Sequence, residues 1–334
     1  RIESYERPGA LPTVTHGSLE QDLLRRDFTI NAMAVRIDPD DFGSLVDIYG
    51  GQNDLRDGVL RVLTDRSFVD DPTRVLRGVR FAARFAFRFE ERTEKLLREA
   101  VVNDTLDTVS GERIMNEITL ILRERAPWPP VERLVDWGIL ESVHESWRPG
   151  PDLGTTFALL KEGLERPPLS DVLGKAERWT VLFLAMVEPL QPEDRSAVLQ
   201  RLRAGRTLKE LSRGLEKFDA ECRERLSTDE DVSRSSVYRS LRGIPRGVLA
   251  LQLVLERGTR IAERIELYLT ELLHVSLSVD GTALATMGVG EGRPVGAILD
   301  RLLDARLDGT VTTDKEEREL AARLVNDLDA LNKS

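Results

Sequence analysis

Up to about residue 65 the apolar positions alternate with polar ones and are often interrupted by turn residues. Pro8, Gly9 and Pro12 break the opening. Ala32 to Ile37 reads as a strand, Asp38 to Gly43 as an acidic turn and Ser44 to Ile48 as a second strand, a hairpin with a loop of several residues. Gly50-Gly51 ends it. Gln52 to Gly58 then reads as a short helical turn and Val59 to Thr64 as a further strand. From Pro72 the period changes from two to 3.6 and stays there. Val75, Leu76, Val79, Ala82 and Ala83 mark one helix; Leu96, Leu97 and Ala100 mark a second; Ile114, Ile118, Ile121 and Leu122 mark a third. Breaks at Pro127-Trp128-Pro129-Pro130, Pro149 to Pro151, Pro167-Pro168, Pro189 to Pro192 and Gly243 to Gly247 separate further helices. A Gly-rich break, Gly288 to Gly296, precedes a final helix pair ending near Leu331. The pattern predicts an α+β chain that is mostly α: a small α/β piece in front and an all-helical remainder. A front piece of this size, with a hairpin and one more strand, is small for a core of its own, so part of its sheet is expected upstream.

Composition narrows the class. The 334 residues carry 41% hydrophobic and 32% charged positions, as a folded globular chain does. The longest apolar stretch, around Trp179 to Val187, falls far short of the ~20 residues a membrane helix needs, so no membrane partner and a cytoplasmic location are expected. One cysteine, Cys222, and three scattered histidines, His16, His144 and His274, exclude a disulfide framework and a Cys- or His-rich metal cage. Net charge is −10, which argues against a protein that coats nucleic acid indiscriminately. Arg outnumbers Lys by 41 to 7. Arginine suits phosphate and base recognition through its planar fork of donors, but a GC-rich genome explains the excess equally well, so placement decides. The first residue is Arg1 rather than Met, and no signal-peptide pattern accounts for it.

Several segments carry candidate chemistry, each with a plainer reading beside it. In Asp22 to Ala32, Arg25, Arg26, Asp27 and Asn31 crowd the start of an apolar stretch. They suit a polyphosphate and ribose contact, or else a surface ion pair and a turn-forming Asn. Asp47 to Gly51 with Asp54 offers a Gly pair for close backbone approach, and most simply a turn in which Asp54 caps a short helix. The segment Asp70 to Arg84 is the most informative. Asp71 before Pro72 is a good helix start. Steps of three from Asp71 reach Arg74, Arg77 and Arg80, and four more reach Arg84, along one side of the helix opposite its apolar face. Residues 70–88 hold five Arg against two Asp, a local basic ridge in an acidic chain. Asp71 and Arg74, one turn apart, can set an acceptor beside a donor. Adenine and cytosine present an amino donor next to an unprotonated ring nitrogen; guanine and uracil present a carbonyl next to a ring N–H. Such a pair therefore suits A and C and repels G and U. A cap and its ion-pair partner is the alternative. Glu112 and Arg113 open a helix that can buttress the ridge, or simply carry ordinary helix-start charge. Near the C-terminus, Gly288, Gly290, Gly292, Arg293, Pro294 and Gly296 can aim backbone N–H groups at a phosphate, or end one helix and start the next. Residues 276–334 carry 11 acidic and 7 basic positions, which favours the second.

The order and spacing of these segments resemble the bacterial-type tRNA nucleotidyltransferase and poly(A) polymerase family: Arg25-Arg26-Asp27 to Ala32, then Asp47, Gly50-Gly51, Asp54-Leu55 and Leu60-Arg61, then Asp71-Pro72-Thr73-Arg74, then Glu112-Arg113-Ile114. Pro8 to Pro12 and the Gly-x-Gly pattern with Leu307-Asp308-Gly309 look like the same family. The resemblance implies the C-terminal part of a DNA polymerase beta-type head over 1–65, a neck with a base-selecting helix over 66–125, a helical body over 126–275 and a tRNA-binding helical tail over 276–334. It implies addition of nucleotides from CTP and ATP to a tRNA 3′ end without a nucleic-acid template. Arg25, Arg26, Asp27 and Asn31 would handle ribose and triphosphate. Asp71 and Arg74 would template the base, with Asp70 at a flanking acidic position more often Glu in the family. Arg77 and Arg80 would steer the triphosphate or the RNA end.

One departure stands out. The family's metal-binding Asp-x-Asp on an early strand should precede all these motifs and is absent. Asp38-Pro39-Asp40 has the spacing but lies in the hairpin turn, and Asp229-Glu230-Asp231 lies in a polar helical stretch; neither follows an apolar strand beside a Gly pair. Mg2+ is the cofactor the resemblance implies, its ligands expected within about 80–110 further residues upstream, at the scale of a domain. Without them the chain is expected to be inactive. The alternatives are A-only or CC-only addition, poly(A) synthesis, and, in another class, a non-catalytic RNA-binding relative.

Overall fold

The computed structural model describes residues 1–7, 9–289 and 292–331. Pro8 and Gly290, named above as breaks, lie outside the described residues. Three two-stranded pairings organise the front of the chain. β1 (Ile2–Ser4) runs antiparallel to β2 (Thr13–Thr15). Both are largely exposed, so the alternation that marks a half-buried strand is missing there, and the pattern gives no sign of them. The expected hairpin is present but shorter: β3 (Ala34–Val35) pairs antiparallel with β4 (Leu45–Val46), Ala34 opposite Val46. β5 (Val59–Leu60) pairs parallel with β6 (Arg88–Phe89).

The stretch leading into Ala32 is not the start of a strand. It is helix α1 (Leu19–Leu24), then a single 3-10 turn, Thr29–Asn31. Ser18 and Gln21 form a capping box, the Gln21 N–H donating to Ser18 Oγ (3.2 Å) and the Ser18 N–H to Gln21 Oε1 (2.8 Å), which starts α1 without an apolar stripe to announce it. Helix α2 (Gly51–Asp57) is the predicted short helical turn. Gly50 has φ 76°, and a Cβ on Gly51 would lie 2.4 Å from the Thr29 carbonyl oxygen, so the Gly pair does serve a close backbone approach. The cap of α2 is Asp47, whose carboxylate accepts from the N–H groups of Gly51 (2.7 Å) and Gln52 (2.9 Å). Asp54 is instead buried, accepting from Thr29 Oγ1 (2.7 Å) and Arg61 Nε (3.1 Å).

Next come α3 (Ser67–Asp70), α4 (Thr73–Phe85), α5 (Glu91–Val102), α6 (Gly111–Leu122) and α7 (Trp128–Asp136). Asp71 ends α3 and Pro72 precedes α4, so the helix begins later than an Asp71 cap with Pro72 inside it would give. Asp71 keeps part of that role by accepting from the Thr73 N–H (3.2 Å). Pro129 and Pro130 occupy the first turn of α7, so that break is a helix start. α4 packs on α6 and α7 through the predicted face: Val75, Leu76, Val79, Ala82, Ile114, Ile118 and Ile121 are buried. Each large aliphatic among them contributes about 1.5–3 kcal/mol relative to exposure.

The chain divides into two compact units, Arg1–Leu160 with Ala176–Ser212, and Lys161–Lys175 with Arg213–Ser334. The described part of the second unit is helical. Near its end, Val279, Leu284, Ile298, Leu302, Ala321 and Val325 form a core among the helices Gly281–Thr286, Arg293–Leu307 and Asp314–Leu331. Pro294 stands in the first turn of Arg293–Leu307, so the Gly-rich break ends one helix and starts another. Among the described residues no helix is long and apolar enough to cross a membrane.

Candidate functional site

In the first unit, the end of α1, the first turns of α4 and the start of α6 border a cavity of ≈ 630 Å³, within the usual range for small-molecule sites. Among the described residues its walls carry five arginines, Arg25, Arg26, Arg74, Arg77 and Arg113, and four carboxylates, Glu3, Asp27, Asp71 and Glu117. Of the residues singled out from the sequence, Arg25, Arg26, Asp27, Asn31, Asp71, Arg74 and Arg77 are brought together here. Asp70 faces a neighbouring recess and pairs with Arg66 (2.8 Å). Arg80 is buried and does not line the cavity.

Each cavity carboxylate is held by a guanidinium. Glu3 pairs with Arg25 (2.5 Å), Asp71 with Arg113 (2.8 Å) and Asp27 with Arg77. Arg25 is held further by Asp22 (3.0 Å), whereas Arg26, 45% exposed, reaches Asp22 only at 3.5 Å and is the freer of the two. Asp27 is fully engaged: it accepts from Arg77 Nε (2.9 Å), Asn31 Nδ2 (3.0 Å) and the Phe28 N–H (3.0 Å). Burial pushes its carboxyl up, but the charge of Arg77 and these hydrogen bonds outweigh that and hold it below the ordinary value. Glu117 goes the other way. It sits between Arg77 (3.5 Å) and Arg80 (3.5 Å), and burial raises its carboxyl above the ordinary range against their pull. The Tyr5 hydroxyl donates to Glu3 (2.7 Å); burial, then that contact, hold the phenol well above its usual range.

Two expectations change. The basic ridge of α4, with Arg77 and Arg80 expected to steer the triphosphate or the RNA end, is largely spent on ion pairs within the chain. Arg77, Arg80 and Arg84 are met by Asp27 and by Glu117 and Glu124, and Arg80 is 7% exposed. Nor do Asp71 and Arg74 pair with each other. Asp71 Oδ1 is held by Arg113 and by the Thr73 hydroxyl (2.6 Å). Arg74 turns to two neutral acceptors, Ser67 Oγ (2.8 Å) and the Arg25 carbonyl (2.7 Å). Arg113 thus does buttress the site, through Asp71, while Glu112 pairs with Arg203 (2.8 Å) away from it. Glu117, Glu3 and Tyr5 were missed. Glu117 on α6 and Glu124 two residues past its end, seven residues apart, match the three- and four-residue spacing of the α4 arginines, a signal readable once the two helices are taken as neighbours. Glu3 and Tyr5, in and beside a three-residue exposed strand, leave no pattern.

The donor set does not compose a Mg2+ site. The cavity carboxylates are all committed to arginines, and among the described residues no group of three or more His, Cys, Asp or Glu is placed to hold a metal ion. What the cavity offers is a donor-rich wall in which the Asp71 carboxylate, engaged through Oδ1, stands beside Arg74, a guanidinium that has no carboxylate partner among the described residues.

Residues 1–61 match the "Poly A polymerase head domain" family and residues 86–149 the "Probable RNA and SrmB- binding site of polymerase A" family. An A-adding tRNA nucleotidyltransferase of Geobacter sulfurreducens is 36% identical over 98% of this chain and 38% of its own length. A CCA-adding enzyme of Thermotoga maritima complexed with tRNA is 32% identical, with a TM-score of 0.75 over 92% of this chain and 74% of that one. A CCA-adding enzyme complexed with CTP is 33% identical, with a TM-score of 0.77 over 93% and 72%. The chain spans 33–38% of the length of the first curated relatives it matches.

Proposed function

The chain belongs to the bacterial-type tRNA nucleotidyltransferase and poly(A) polymerase family, and we propose that it serves template-independent transfer of nucleotides from CTP and ATP to the 3′ end of tRNA. One observation carries this reading: Asp71 and Arg74, an acceptor and a donor on adjacent turns, face the same cavity as Arg25, Arg26 and Arg77. The exocyclic amino group of cytosine or adenine would donate to the Asp71 carboxylate, and the ring nitrogen beside it would accept from Arg74. Guanine and uracil would set a carbonyl against Asp71 and an N–H against Arg74, and be refused. Arg25, Arg26 and Arg77 would meet the triphosphate. Asp27 and Asn31 act by fixing Arg77, and Arg80 and Glu117 by bracing it. Asp70 would act only as a neighbour of the base-reading turn.

Functionally, residues 1–65 would belong to the head, 66–125 to the neck, 126–275 to the body and 276–334 to the tail that meets tRNA. Mg2+ would be the cofactor of the reaction, and the cavity carboxylates, each paired with an arginine, do not fit it. A second reading, addition of A alone, is favoured by the name of the Geobacter relative.

The test is incorporation of each of the four nucleotides onto tRNA lacking its terminal CCA, with the natural full-length protein. Asp71→Ala and Arg74→Ala should each lose discrimination against UTP and GTP by about 1–3 kcal/mol, the range for a lost bidentate contact to a base. Unchanged discrimination in both would sink base selection by this pair. Incorporation of ATP onto tRNA ending in CC, with no incorporation of CTP onto tRNA lacking CCA, by the unmodified protein would establish the second reading.

A further inference from the structure

Arg74 differs from its neighbours in the cavity. Arg25, Arg77 and Arg113 each meet a carboxylate within 3.0 Å. Arg74, 8% exposed, is anchored only by neutral oxygens: Nη1 donates to Ser67 Oγ at 2.8 Å and Nη2 to the Arg25 carbonyl at 2.7 Å. Two of its five N–H donors are thereby spent and its charge is not cancelled. Ser67 is fully buried in α3, and the Arg74 contact is the use its hydroxyl finds in this structure. A carboxylate at that place would neutralise the guanidinium, and an apolar residue would leave its plane free to swing. A hydroxyl does neither.

We propose that Ser67 is a positioning residue for nucleotide choice: its hydroxyl, with the Arg25 carbonyl, fixes the plane of the Arg74 guanidinium so that the remaining donors meet a ring nitrogen and not a ring N–H. This rests on the base-selecting reading of Asp71 and Arg74. Discrimination between a ring acceptor and a ring donor depends on orientation, because a swinging guanidinium can turn toward the carbonyl of a wrong base instead. The second anchor belongs to the segment that carries Arg25 and Arg26, so the base-reading and phosphate-facing walls are tied by one hydrogen bond.

The test uses the natural full-length protein and tRNA lacking CCA, reading kcat/KM for CTP, UTP, ATP and GTP. Misfolded enzyme lowers all four equally and cancels in the CTP:UTP and ATP:GTP ratios. Ser67→Ala should lower both ratios about tenfold, the scale of one hydrogen bond to a charged group. Ser67→Thr, which keeps the hydroxyl, should restore most of the loss. Ratios unchanged in Ser67→Ala while Asp71→Ala and Arg74→Ala lose them would overturn the role of Ser67 alone. Ratios unchanged in all three would overturn base selection, and the Ser67 role with it.

Discussion

Two glutamates paired with arginines, one buried in the second unit and one half-buried in the first, show the same ion chemistry put to different ends. Glu317 lies in the core of the second unit with no exposure. Its Oε1 accepts from the N–H groups of Ser278 (2.8 Å) and Val279 (2.7 Å), and its Oε2 lies 3.0 Å from Arg306 Nε. Glu117, in the first unit, makes no backbone contact of that kind. It is shared between Arg77 and Arg80 at the edge of a cavity. A carboxylate that takes two backbone N–H groups on one oxygen locks a loop. One divided between two arginines beside open space sets the direction and strength of charge offered to whatever enters.

Removing each glutamate should separate these roles, and the largest effect belongs to the sealed one. Glu317→Ala leaves the Ser278 and Val279 N–H groups without their acceptor and Arg306 with Asp314 alone, and should destabilise the second unit by about 3–5 kcal/mol, read by denaturant unfolding. A loss under about 1 kcal/mol would show that the loop does not depend on it. Glu117→Gln should cost less stability and act on binding instead. With one negative charge gone and Arg77 still held by Asp27, affinity for CTP should rise about tenfold and weaken more steeply with salt; unchanged affinity would break the contrast.

The same variant has a pH signature. Glu117 is raised in the folded state above its ordinary 4.5, so it favours the folded state increasingly as pH falls through the folded value, a gain complete below 4.5. Asp27 is lowered below 3.8, so its contribution is present above 3.8 and lost as pH falls through its folded value. Stability measured against pH should gain on the first limb and fall on the second, and Glu117→Gln should abolish only the first. A first limb that persists would assign it elsewhere.

The smallest effect is at an exposed helix start in the second unit. Glu316 accepts from Thr312 N–H (2.8 Å) and Thr313 N–H (3.1 Å), while its own N–H donates to Thr313 Oγ1 (3.2 Å), a capping box that lowers its carboxyl to about 2. Glu316→Ala should speed amide exchange at Thr312 and Thr313 without changing the unfolding of the core. Exchange that is unaltered would mean the box contributes nothing.

Much of this was legible before any coordinates. The 3.6 period located the apolar faces of α4 and α6, and Val75, Leu76, Val79, Ile114 and Ile118 are buried as the pattern required. The hairpin was legible through its acidic turn, though its ladder is shorter than the apolar run. Seven of the nine residues chosen as nucleotide-binding converge on one cavity. Illegible were the features set by contacts distant in sequence. Asp54 looked like a local cap, yet it bonds Thr29 and Arg61. The partners of the α4 arginines were not readable because they stand some 40 to 50 residues away, at Asp27, Glu117 and Glu124. Ser67 carried no signal, since one hydroxyl has no periodicity.

The sequence by itself determined which faces of α4 and α6 are apolar, where Pro- and Gly-rich breaks separate the helices, and which polar residues cluster around the start of α4. Those follow from propensity, period and capping, all local in the chain. Only the tertiary structure decided which of those charges are cancelled. It spends Arg77 and Arg80 on carboxylates and leaves Arg74 charged on neutral oxygens. The reason is physical: an ion pair falls off with distance in space, and spacing along the chain fixes that distance only within one helix.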